Sequence, residues 1–335
     1  MLLIRNESPS MTESTDCENP ARNSANGPSL RLRFINNSCV KLTAYSQLGK
    51  MRVHVNAILR IVLIVSALLI LASIWLFYIS IRPPKIVSSI TPRELNMPYE
   101  QVSFTTADGL TLRGWFVPSG KKADKTLILL HGYPADKGNI LPALAFLHAD
   151  FNLLLFDFRY LGESDGNYST AGAKEVEDLL AAIRFLKSRG IKEVGVWGFS
   201  MGGAVGLMAI DKATEIRAVV SESSYASLPE MALQLFRIPL LNYPIAYLIG
   251  FWANLFLGID VRDVSPAEKI RNTTVPILIT HSSTDAVVPF SQAKMLQQAL
   301  VNNPRAEFWF NEEFSHGQMG SDYQSRVRNF FQKNL

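Results

Sequence analysis

Apolar positions along this chain fall into three recurring arrangements. The longest is Ile61–Ile81, in which no charged residue appears and which Arg60 and Arg82 bracket. A helix rises 1.5 Å per residue, so such a run covers about 30 Å, the thickness of a bilayer's hydrocarbon core. Trp75, Phe77 and Tyr78 gather near one end, as an interfacial aromatic belt does. The pattern predicts a single-pass membrane anchor over 57–82. A cleaved signal peptide fits less well, because the run is too long and no Ala-x-Ala-like site comes after it. The second arrangement is a series of short apolar runs of the kind buried parallel strands carry: Thr126–Leu130, Phe151–Phe158, Glu193–Trp197, Arg217–Ser221, Pro276–Thr280 and Ala306–Phe310. Ahead of them, Gln101–Thr106 and Leu110–Val117 flank Ala107-Asp108-Gly109 and read as a hairpin. The third is the 3.6-residue period of Ala173–Ser188, kept by Val176, Leu179, Leu180, Ile183 and Leu186, with a further helix over Met201–Asp211. Strands alternating with helices predict one α/β domain over 91–335, a mostly parallel, doubly wound sheet covered on both faces.

Polar positions mark the remaining boundaries. Residues 1–56 are rich in Ser, Asn, Thr and Pro without a sustained apolar period and read as a disordered leader, with Met51 an alternative translation start. Pro83-Pro84 separates the anchor from the α/β domain. Lys41, Lys50, Arg52 and Arg60 lie on the amino side of the apolar run, and Arg82, Lys85 and Arg93 on its carboxyl side. By the positive-inside rule that balance points to a cytoplasmic amino end and an exported catalytic domain. Both cysteines, Cys17 and Cys39, lie in the leader, so the folded part needs no disulfide. A net charge of +4 without any cluster of Lys, Arg and aromatics gives no nucleic-acid signal.

Chemistry concentrates in Gly198-Phe-Ser200-Met-Gly202, between a predicted strand and a predicted helix. A serine on a sharp strand-to-helix turn has a strained backbone and an exposed Oγ at the sheet's carboxyl edge, and close backbone approach calls for the flanking glycines. Ser200 is therefore the candidate nucleophile.

The context extends this. His131-Gly132-Tyr133-Pro134, Asp157-Phe-Arg159-Tyr-Leu-Gly162-Glu163-Ser164-Asp-Gly166, the Ser200 pentapeptide, His281-Ser-Ser-Thr-Asp285-Ala-Val-Val-Pro289 and Ser315-His316-Gly317 succeed one another in order. From the hairpin onward the chain resembles an α/β-hydrolase, near the membrane-anchored lysophospholipase or serine-aminopeptidase-like branch. It departs at Arg159-Tyr160-Leu161-Gly162, where the family often has Arg-Gly-Tyr-Gly. The resemblance implies a Ser…Asp…His triad, which makes His316, last of five histidines, the base. Asp285 comes after a predicted strand and is the first choice for the acid; Glu222 is the runner-up, and Asp260 and Asp263 lie beyond an inserted segment. The oxyanion donors would be the backbone N–H of Met201 and, after the strand ending at Leu130, that of Tyr133 with Gly132 behind it, since Pro134 has none. His131, Asp157 and Arg159 read as loop-bracing groups. The aromatic and aliphatic crowding from Phe236 through Ile238 and Leu240 to Phe256 falls where the family inserts a cap, here about 225–264, which would line an acyl pocket or touch lipid.

Other motifs fail on context. Ser38-Cys-Val-Lys41 lies in the leader, and Asn167-Tyr-Ser169 and Asn272-Thr-Thr274 carry meaning only in a eukaryotic host. No metal or nucleotide fingerprint appears, so no cofactor is implied. The reading is a membrane-anchored serine hydrolase acting on a small-molecule ester or lipid-like substrate. An amidase or peptidase using the same triad is the alternative among enzymes. A catalytically silent binding member of the fold is the alternative outside them, against which the intact Ser200, Asp285 and His316 speak.

Overall fold

The computed structural model describes residues 37–119, 125–235, 241–312, 315–318, 320 and 322–335, except the side chains of 37–44 and of Leu235. The leader up to residue 36, with Cys17, and the cap positions Phe236, Ile238 and Leu240 lie outside the described residues. The described residues divide into two units, with the division between Val62 and Leu63.

Helix α1 (Asn37–Ile81) crosses the boundary between them and starts well ahead of the predicted anchor. Extending an existing helix needs no new nucleus, and 37–56 holds no proline and one glycine, Gly49. Within Tyr45–Ile81 an 18-residue window has a mean hydropathy of 2.7, and only 6% of it is buried. The helix is thus a candidate membrane span.

The second unit is built on one eight-stranded sheet, with strand order β1-β2-β4-β3-β5-β6-β7-β8. The strands are β1 (Glu100–Thr105), β2 (Thr111–Val117), β3 (Thr126–Leu130), β4 (Asn152–Phe156), β5 (Val194–Phe199), β6 (Ile216–Glu222), β7 (Ile277–Ser282) and β8 (Ala306–Asn311). The β1–β2 hairpin and the β2–β4 pair are antiparallel, and every pairing from β4 through β8 is parallel. The central parallel strand β3 is covered on both faces, and all five of its residues are buried. On one face pack α2 (Lys137–Leu144) and α9 (Tyr323–Asn334), around Leu127, Leu129, Trp197 and Phe331. On the other pack α3 (Glu175–Ser188), α4 (Met201–Met208), α7 (Pro266–Lys269) and α8 (Phe290–Ala299), around Ile128, Val196, Val219 and Leu179. Two helices, α5 (Leu228–Leu235) and α6 (Asn242–Leu257), are inserted between β6 and α7. Strand and helix together make the mostly parallel, doubly wound sheet covered on both faces that the alternating pattern predicts.

Candidate active site

Ser200 sits between β5 and α4 with φ 53° and ψ −115°, a conformation that a residue with a Cβ rarely takes. Its N–H donates to the Glu222 carbonyl at 2.8 Å, and its carbonyl accepts from Ala204 N–H at 3.1 Å, so both sides of the turn are held. The glycines on either side are required by contact. A Cβ on Gly198 would stand 2.3 Å from the Gly202 carbonyl oxygen, and one on Gly202 would stand 2.5 Å from the Leu130 oxygen. The turn is wedged between β3 and its own helix, which leaves the hydroxyl side of Ser200 as the open one.

The carboxyl ends of the parallel strands bring the other predicted residues to this edge. Asp285 lies just past β7 and His316 just past β8, and His316 Nδ1–H donates to Asp285 Oδ2 at 2.6 Å. The other carboxylate oxygen accepts from Val287 N–H at 2.8 Å and Val288 N–H at 2.9 Å. Burial by itself would raise the Asp285 carboxyl, but the bonds from His316 and from the two backbone N–H groups outweigh it and hold it below the usual carboxylate range. The His316 imidazole lies against the Phe199 ring, with centroids 4.7 Å apart. A Cβ on Gly317 would meet that ring at 2.8 Å. Phe199 immediately precedes Ser200, so the His316 loop is laid against the residue next to the serine.

Gly132 closes the third side: a Cβ there would stand 3.3 Å from the Ser200 Cβ. The Tyr133 N–H next to it, and the Met201 N–H at the first turn of α4, donate to no acceptor among the described residues. Met201 and the loop carrying Tyr133 therefore flank Ser200 with unused donors. His131 holds that loop in place: its Nε2 accepts from Phe158 N–H at 3.0 Å and its Nδ1–H donates to the Gly132 carbonyl at 2.7 Å. Burial pushes the His131 imidazole down, so it is neutral, as those two bonds require. Tyr133 donates its hydroxyl to the Ser80 carbonyl at 2.7 Å, which ties the loop to the end of α1.

Two buried ion pairs brace the next loops. Lys137 Nζ lies 2.7 Å from Asp157 and 4.6 Å from the centre of the Trp115 ring, and Arg159 grips Asp178 of α3 and, through its other amine, Asp108 of the β1–β2 turn. Lys137 and Asp178 give no signal in the sequence, because a lone Lys after a helix cap and a lone Asp in a helical period look like solvated positions. Phe199 gives none either, since it counts simply as the end of an apolar strand.

The competing acids are placed elsewhere. Glu222 is 4% exposed; its carboxyl is held by Thr280 and Ser223, burial pushes it upward, and it accepts nothing from the Nδ1 of His316. Asp260 is clasped by Arg262 on the surface, and Asp263 is exposed. Trp252 of α6 turns toward α1, its indole N–H donating to Ser73 Oγ at 3.0 Å. Among the described residues no cluster of three or more His, Cys, Asp or Glu is arranged to hold a metal ion.

Comparison with known proteins places these observations in a family. The family model described as alpha/beta hydrolase fold matches residues 125–248. The chain is similar to the uncharacterized protein YfhR of Escherichia coli K12, with 31% identity over 217 residues, 62% of this chain and 69% of YfhR. It is similar to the protein bem46 of Schizosaccharomyces pombe, with 25% identity over 73% of this chain and 80% of bem46. Among solved structures it resembles the Pyrococcus furiosus esterase Pf2001 with a TM-score of 0.63 and 28% identity, covering 76% of this chain and 99% of the esterase.

Proposed function

This chain belongs to the α/β-hydrolase superfamily, and we propose that it is a membrane-anchored serine esterase that cleaves carboxylic, acyl or lipid-like esters through an acyl-Ser200 intermediate. The observation that carries the reading is the 2.6 Å bond from His316 Nδ1 to Asp285. It puts the proton on Nδ1 and leaves Nε2, with its lone pair, as the ring's free base. In the proposed cycle Nε2 takes the Ser200 hydroxyl proton as Oγ attacks the ester carbonyl. The tetrahedral oxyanion is met by the Met201 and Tyr133 N–H groups, and Asp285 steadies the imidazolium. Collapse breaks the bond to the alcohol oxygen, which leaves with the proton from Nε2. Water repeats the sequence on the acyl-serine and releases the acid.

The membrane part of the proposal rests on α1. Its exposed face between Leu63 and Ile81 includes Leu68, Leu71 and Trp75, each at least 60% exposed, an apolar surface that water does not favour. Tyr133, beside Ser200, is bonded to Ser80 at the end of that run, which favours a substrate taken from the bilayer surface. The similarity to an esterase of 28% identity favours esters over peptides.

The test is a series of p-nitrophenyl esters of rising acyl length, run on full-length protein in detergent beside peptide p-nitroanilides. Each methylene buried contributes about 0.8 kcal/mol, so kcat/KM rises by up to about fourfold per carbon until the site is full. Peptidase turnover exceeding esterase turnover would select the amidase reading, and no turnover on either set the silent one.

A further inference from the structure

Helix α6 carries no charged residue over its sixteen positions and no histidine. Tyr243, Tyr247, Phe251 and Leu255 recur at every fourth residue and so form one stripe along the helix. They are 58%, 76%, 54% and 58% exposed, and Ile245 and Ala253 are the buried positions on the opposite side. A stripe of this composition facing water marks a surface made for an apolar partner.

The contacts of α6 with α1 identify that partner. Trp252 donates its indole N–H to Ser73 Oγ at 3.0 Å, and the Phe256 ring stacks on Phe77 with centroids 6.2 Å apart. Ser73 and Phe77 are buried on a helix that is otherwise largely exposed. The Ser73 hydroxyl also donates to the Ile70 carbonyl at 2.7 Å, so this polar side chain within the apolar run has both a donor and an acceptor partner. At 1.5 Å per residue, Phe77 and Ser73 lie about 6 and 12 Å along the helix from its end at Ile81. A helix that crosses the bilayer over this run carries both contact points below the hydrocarbon boundary. The arrangement is clamped: besides the Tyr133 bond, Ser169 N–H donates to the Ile81 carbonyl at 2.9 Å and the Tyr160 hydroxyl to the Pro83 carbonyl at 2.8 Å. The first charges after α6, the exposed Asp260–Arg262 pair, come just beyond its shallower contact at Phe256.

We propose that α6 is a second membrane element, embedded in the bilayer beside the carboxyl-terminal part of α1, with the Tyr243, Tyr247, Phe251 and Leu255 stripe packed against lipid acyl chains. The inference rests on the membrane reading of α1 and adds to it that the body does not hang from a tether: it is sunk to a fixed depth beside its anchor. Lipid suits the stripe better than a second copy does, because Trp252 and Phe256 fix α6 at acyl-chain depth whether or not another chain is near.

The test uses the full chain with Cys17→Ser and Cys39→Ser, its two native cysteines. Single cysteines are introduced by Tyr247→Cys, Phe251→Cys and Leu255→Cys, by Leu71→Cys on the exposed face of α1, and by Lys192→Cys at the amino end of β5. Each is nitroxide-labelled in phosphatidylcholine vesicles, and spin relaxation by oxygen and by a water-soluble nickel chelate is compared. The expected result is strong oxygen relaxation and at least tenfold weaker nickel relaxation at Leu71 and at all three α6 positions than at Lys192. Nickel access at the α6 positions equal to that at Lys192, with Leu71 still shielded, overturns the inference and leaves the anchor standing. Shielding of α6 from both reagents indicates a protein partner and also overturns it. Nickel access at Leu71 itself removes the anchor reading and this inference with it.

Discussion

Replacing Asp285 with Asn tests how the structure sets the protonation of His316. The carboxylate has two separate duties: one oxygen accepts from Val287 N–H at 2.8 Å and Val288 N–H at 2.9 Å, the other from His316 Nδ1 at 2.6 Å. An amide can satisfy only one of them. With its oxygen toward the two backbone donors, the NH2 faces Nδ1, which must then be the acceptor. The ring proton moves to Nε2, where it blocks the base. With the amide flipped, the tautomer is right but the N–H groups of buried Val288 and half-exposed Val287 face an NH2, at about 1–3 kcal/mol for each unsatisfied donor. The competent state therefore lies about 2–6 kcal/mol higher and is populated about 30-fold to 10⁴-fold less, since 1.4 kcal/mol is a factor of ten. The corresponding exchange in a serine protease costs about 10⁴ in kcat, so the expected loss here is 10³ to 10⁴ with KM little changed. Glu222→Gln should stay within about tenfold of the parent, because the Nδ1 bond goes to Asp285. The assay is steady-state hydrolysis of a p-nitrophenyl ester, with circular dichroism to confirm both folds. An Asp285→Asn variant within tenfold of the parent, beside a Glu222→Gln variant down by 10³, would refute the reasoning and give the acid to Glu222.

Lys137→Met should destabilise the protein by about 3–5 kcal/mol by leaving Asp157 as a buried unpaired charge; a denaturation midpoint equal to the parent's would show that the pair has no structural weight. The buried imidazoles of His131 and His281 are both pushed down by desolvation, so the unfolded chain takes up protons at them before the folded one does. Their contribution is complete above the unfolded value of about 6.5 and is lost as pH falls below it, by up to about 1.4 kcal/mol per pH unit for each. Thermal midpoints should thus decline between pH 6.5 and 5, and a flat or rising profile would contradict the neutral, buried assignment.

Local rules carry a great deal of this molecule. Thr126–Leu130 is legible as a strand because both its faces are covered, and Ser200 because a strained turn needs small neighbours. His316 and Asp285 can be placed by order along the chain, and the strand ends then bring them together. What the sequence does not carry is long-range pairing. Nothing in the local pattern around Lys137 names Asp157 as its partner, and nothing around Trp252 names Ser73, because both contacts join elements far apart in sequence. Residues 37–56 lack the apolar period of a packed helix, yet they are helical, since a neighbouring long helix removes the nucleation step. Helix α6 shows the same limit: crowding of Tyr, Phe and Trp marks an apolar surface, while its orientation toward α1 comes from the fold.

The central claim is that Ser200 is the nucleophile of an acyl-transfer site, and fluorophosphonate labelling with peptide mapping by mass spectrometry tests it most directly. A single phosphonyl adduct on Ser200 is expected, lost in Ser200→Ala together with all but a trace of ester hydrolysis, since members of such a site act as a unit. An unlabelled Ser200, or a Ser200→Ala protein that keeps the parent's turnover, would contradict it.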